Sequence, residues 1–75
     1  MREVTFKMER PGLVEVGQTV EITEIVSANY SYMIEPAVAM SGVFPNSKRI
    51  KAKTGVIKDI RKEERGYYVV AEFEE

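Results

Sequence analysis

The chain contains no cysteine, no histidine and no tryptophan. Without cysteine there is no disulfide framework, no thiolate nucleophile and no sulfur ligand for a metal, and without histidine the commonest metal ligand and general base is missing. Ser27, Ser31, Ser41 and Ser47 therefore have no imidazole to activate them, and the five glycines stand singly, with no phosphate-cradling loop among them. An excess of charge of either sign is also lacking. Eleven lysines and arginines face twelve acids, for a net charge of -1, which is less basic than a dedicated nucleic-acid binder of this size. Long apolar runs are absent as well: the longest uncharged run, residues 36–47, falls short of the roughly 20 residues of a membrane-spanning helix. The first ten residues, MREVTFKMER, alternate charge and bulk and carry no apolar signal core. These features predict a cytoplasmic, non-enzymatic protein with no catalytic residue, no metal, no cofactor and no membrane contact.

What is present is the periodicity of strands. The 75 residues suit one domain, 1–75, and a chain of this size buries only about 60% of the surface it exposes when unfolded. Val4, Phe6 and Met8 alternate with Glu3, Thr5 and Lys7, the period-two pattern of a half-buried strand. Arg10-Pro11-Gly12-Leu13 places proline and glycine at the two central positions of a type II turn. The run QTVEITEIVSA is rich in β-branched residues, with Val20, Ile22 and Val26 on one face. Glu24 falls on that same face, which predicts a bulge or twist there, and the three-residue spacing of Ile57 and Ile60 after Gly55 predicts another. At the C-terminal end, RIKAKTGVIKDIRK and YYVVAEFEE flank Glu63-Glu64-Arg65-Gly66 as a hairpin, with Tyr67, Val69, Ala71 and Phe73 facing the core. Asp59, Glu63 and Glu64 are interleaved with Lys58, Arg61, Lys62 and Arg65, a pattern of local ion pairing.

Two stretches stand out as surfaces. Residues 27–44, SANYSYMIEPAVAMSGVF, carry a single charge, Glu35. The passage reads as an apolar loop insertion, about 28–47, in which PAVAMSG suits a short helix or 3₁₀ turn with proline at its start and glycine past its end. It either folds back as a plug for an open barrel end or stays exposed for a protein partner or a second copy, through Tyr30, Tyr32, Met33, Ile34, Met40 and Phe44. The second stretch, Lys48-Arg49-Ile50-Lys51-Ala52-Lys53, carries four cations and no acid. On a strand, Arg49, Lys51 and Lys53 would share one face and could follow a phosphate backbone, with Tyr68 as a stacking ring. Lysines on a strand equally keep a sheet edge from pairing with a neighbour.

KTGVIKDI followed by GYYVVAEF resembles the hairpin of small barrels of the Src-homology-3 (SH3-like) type, including the KOW-like modules of ribosomal and transcription proteins. Gly55, Val56, Ile57, Ile60, Gly66, Val69 and Phe73 carry the resemblance, over about a third of the chain. It implies a barrel and specifies no ligand, since Lys53 and Thr54 stand where the KOW pattern has further glycines and the chain lacks the tryptophan of proline-peptide grooves. Pattern and resemblance together predict an all-β fold: a small, strongly twisted antiparallel SH3-like barrel of four to five strands with a long insertion and one short helix. The function that follows is protein docking or self-association through the insertion, and the alternative is a nucleic-acid-associated module using residues 48–53.

Overall fold

The computed structural model describes residues 1–10, 12, 14–35 and 38–75, and these form six strands and include a 3₁₀ turn. The strands are β1 (Arg2–Met8), β2 (Thr19–Val26), β3 (Tyr30–Ile34), β4 (Ala39–Ser41), β5 (Thr54–Glu63) and β6 (Gly66–Phe73), and the 3₁₀ turn is Asn46–Lys48. They close a barrel in the order β1-β4-β3-β2-β5-β6, with every neighbouring pair antiparallel. The all-β barrel expected from periodicity is therefore present. It has six strands where four to five are expected, because the apolar passage contributes two of its own. Among the described residues no helix is long and apolar enough to cross a membrane.

Alternation decides which side chains fill the barrel. Val4, Phe6 and Met8 of β1 are buried, as are Val69, Ala71 and Phe73 of β6, while Tyr67 packs against the same core. Phe6 and Phe73 meet as a tilted ring pair with centroids 6.3 Å apart. The β5–β6 ladder shifts register between Ile57 and Asp59, the break expected near Ile57 and Ile60. Lys58 is thereby left over, and the bulge lets one long strand pair with β2 at its start and with β6 along most of its length. Glu63 pairs with Gly66 across a two-residue connection, and the positive φ of Gly66, 133°, is one that side-chain-bearing residues rarely adopt.

Three expectations are corrected. The apolar passage is neither an insertion nor a plug: β3 and β4 form barrel wall, because Tyr32, Ile34 and Ala39 alternate inward and are buried. The short helix expected over residues 36–42 is not formed at Ala39–Ser41, which pair with β1 and β3, and Val38 has φ 49°, outside the right-handed helical region. Pro36 and Ala37, like Pro11 and Leu13 of the expected type II turn, lie outside the described residues, although Gly12 has φ 81°. No bulge occurs at Glu24 either, since β2 pairs with β3 in unbroken register from Ile22 through Val26. Glu24 keeps its place on the inward face because that face reaches the barrel rim there, where a carboxylate finds partners.

Gly55 is buried at the β2–β5–β6 junction, where a Cβ would stand 2.5 Å from Cε1 of Phe73 and 2.8 Å from its Cδ1. Gly55→Ala is expected to cost about 1–3 kcal/mol by overpacking, and at roughly 4–8 °C per kcal/mol the loss is visible in a thermal melt. Gly42→Ala, with nothing within 4 Å of the added carbon, should stay within about 0.5 kcal/mol of the parent.

Candidate functional site

β2 is paired unequally on its two sides. Toward β3 its ladder covers residues 22–26, but toward β5 it covers only Thr19, Val20 and Glu21, with one further bond from Ile22 N–H to the Lys53 carbonyl at 3.0 Å. Backbone groups of a strand alternate in direction, and the bond from Ile22 fixes the even-numbered residues as the ones that face β5. Glu24 and Val26 therefore present their N–H and C=O groups to that side. Continued pairing in the same register would bring Lys51 opposite Glu24, and it does not happen.

The cause lies in what holds the 48–52 segment. Glu75 Oε1 accepts the N–H groups of Lys51 and Ala52, each at 2.8 Å. Arg2 donates to the carbonyls of Lys48 (2.6 Å) and Arg49 (3.0 Å) and to Glu75 Oε2 (3.3 Å). Ile50 N–H donates to the hydroxyl of Tyr32 at 2.9 Å. Arg2 and Glu75 come together because β1 and β6 are neighbours with Arg2 opposite Phe73. The Lys48 and Arg49 carbonyls and the Lys51 and Ala52 N–H groups are thus held from the β1–β6 side, and the segment lines a cleft against β2.

That cleft is an open groove of about 590 Å³, with Tyr32 and Ile50 in its floor, Glu24 on one side and Lys51 and Lys53 on the other. Tyr32 is 1% exposed, and its hydroxyl donates to Glu24 Oε2 at 2.7 Å while accepting from Ile50. Arg49 closes a two-pronged bond on Glu24, Nη2 to Oε1 at 2.9 Å and Nε to Oε2 at 3.1 Å, with its guanidinium 4.5 Å from the centre of the Tyr30 ring. The fork from Arg49 first, and the phenol next, hold the Glu24 carboxyl below its ordinary value of 4.5. Burial first, and then the bond to Glu24, push the Tyr32 phenol up. The N–H groups of Ala52 and Lys51, with Arg2, hold Glu75 low as well.

The residues singled out for docking do not form one surface. Tyr32 and Ile34 are core, correcting their place in an exposed patch; Tyr30 lies under Arg49, and Phe44 packs on Tyr32 with centroids 6.0 Å apart and Arg2 above its ring. Met33 and Met40 remain, directly paired on the outer face, with Met40 38% exposed. The basic set also divides. Residues 49–53 lie outside the strands, since β5 starts at Thr54, although Ile50 is buried and Lys51 and Lys53 are exposed as alternation would have them. Arg49 is engaged by Glu24, and Tyr68 lies opposite Lys7 and Arg61 on the far wall, away from the groove. Near the hairpin, Arg61 pairs with Asp59 at 2.9 Å, as the interleaved charges suggest. Glu24, Arg2 and Glu75 were not legible as site residues: the acid on an inward face is the one local signal, and their partners lie far away in sequence.

No family model matches the chain, and neither the curated proteins nor the solved structures contain a significant match.

Tyr32→Phe keeps the ring but leaves the buried Ile50 N–H without its acceptor, and should lower stability by about 1–3 kcal/mol in urea titration. Tyr30→Phe, whose hydroxyl makes no comparable bond, should change it by no more than about 0.5 kcal/mol. Because the carboxyls of Glu24 and Glu75 are depressed when folded, their stabilisation is complete above the ordinary value of 4.5 and is lost as pH falls through the lower folded values. Glu24→Gln should therefore flatten the fall of unfolding free energy below pH 4.5.

Proposed function

We propose that this chain is a non-enzymatic binding module that takes an extended segment of a partner protein into the groove between β2 and residues 49–54. One observation carries the reading: β2 ends its pairing with β5 at Ile22 and leaves without a β5 partner the backbone of Glu24, which lines an open groove, and of Val26 just beyond it. Barrels ordinarily remove strand edges by closing, and an edge left open beside a groove is a template for strand addition. Docking thus moves from the apolar passage to the rim next to it. A cytoplasmic location belongs to the same proposal, in keeping with a chain free of cysteine.

The nucleic-acid alternative has less support. Tyr32 is buried, Tyr30 is covered by Arg49 and Tyr68 is remote, so no aromatic face is offered beside Lys51 and Lys53 for a base to stack on. Self-pairing of two β2 edges is limited to the four residues of the strand beyond Ile22.

A random-sequence peptide library panned on the folded chain, followed by amide-resolved NMR with the selected peptides, tests the reading. Shifts centred on residues 24–26 and 50–53 are expected. Shifts confined to Met33 and Met40, or salt-sensitive shifts with a mixed-sequence single-stranded oligonucleotide in the absence of any peptide binder, would overturn it.

A further inference from the structure

The groove's two walls differ in what they still offer. On the 48–52 wall, the N–H groups of Ile50, Lys51 and Ala52 and the carbonyls of Lys48 and Arg49 are all bonded, to Tyr32, Glu75 and Arg2. The edge left with both N–H and C=O groups at alternate residues is that of β2, at Glu24 and Val26, two residues apart. That spacing fits a strand, whose hydrogen-bonding groups recur on one side at every second residue. A phosphodiester chain can accept from the two N–H groups but has no donor for the two carbonyls.

The side chains supply the second half. Of the charged groups lining the groove, Glu24 and Arg49 neutralise one another at 2.9 Å, which leaves Lys51 and Lys53 against Glu21. Both lysines are exposed, and none of the ion pairs or side-chain hydrogen bonds among the described residues involves their ammonium groups. The wall opposite the β2 edge thus carries the unmatched positive charge.

Resting on the strand-addition reading above, we infer that the groove takes an acidic extended peptide. The peptide lies antiparallel to β2, bonds through its backbone to Glu24 and Val26, and sets carboxylates against Lys51 and Lys53. Antiparallel direction is that of every strand pair in the barrel and gives the better-aligned bonds. Backbone bonds supply affinity without regard to composition, and the lysines supply the choice of charge.

The experiment uses three capped heptapeptides: valine alternating with glutamate, valine alternating with lysine, and the glutamate peptide with every backbone nitrogen methylated so that neither edge can donate. Binding is followed by amide shifts of the full chain at near-physiological salt. The glutamate peptide should shift Glu24 and Val26, the lysine peptide should bind at least roughly threefold more weakly, and the methylated peptide should not bind. Lys51→Glu with Lys53→Glu, both exposed and so compatible with an unchanged folded spectrum, should reverse the preference between the first two peptides. Equal binding of both peptides at Glu24 and Val26 would overturn the charge inference and leave strand addition standing. Binding of the methylated peptide, or binding of none of the three together with a failed library, would overturn strand addition itself. Salt-sensitive shifts at Lys51 and Lys53 with an oligonucleotide but with no peptide would assign the lysines to phosphate instead.

Discussion

The phenol of Tyr32 is the interaction on which this architecture depends. Its ring is part of a core that a 75-residue chain can scarcely extend, and its hydroxyl must find partners because a buried polar group without them costs about 1–3 kcal/mol. It finds two, the N–H of Ile50 and the carboxylate of Glu24, and through them ties the 49–53 segment to β2 at one depth of the barrel. Arg49 completes the charge balance from above. A small domain of this length has roughly 4–11 kcal/mol of total stability, so this one side chain governs a sizeable share of it.

The groove follows from competition for backbone groups. Left alone, residues 49–53 would extend the β5 edge alongside β2, and the barrel would close along its full height. Glu75 and Arg2 claim those peptide groups first, from across the β1–β6 seam. The barrel therefore closes at one end and parts at the other, with the Tyr32 hydroxyl as the strut that keeps the separation fixed. The overhanging lysines also serve the free edge in the absence of a partner, by discouraging indiscriminate pairing.

The legible parts of the fold are those whose signal is local. Val4, Phe6 and Met8 alternate without interruption, and Gly66 closes a connection between two β-rich runs, so the first strand and the last hairpin can be drawn from sequence. The break at Ile57 shows as a phase change, and a bulge is there. Tyr30, Tyr32 and Ile34 show extended alternation, but PAVAMSG has proline and glycine placed as in a short helix, and only the pairing of Ala39 and Met40 with neighbouring strands decides for a strand. Glu24 shows as an acid out of phase; a bulge is the local explanation, while the actual one is Arg49, 25 residues away. The clamp between Arg2 and Glu75 spans 73 residues and leaves no local trace.

Hydrogen exchange of the individual β2 amides tests the central claim, that this strand is paired on one side only beyond Ile22. Thr23 and Ile25 face β3 and should be protected to nearly the level of the core, whereas Glu24 and Val26 lie on the edge that β5 leaves unpaired and should exchange orders of magnitude faster within the same strand. Alternating protection would establish the open edge on which the groove and its proposed occupant rest. Uniform protection across residues 23–26 would show that the edge is already filled, and would contradict the account.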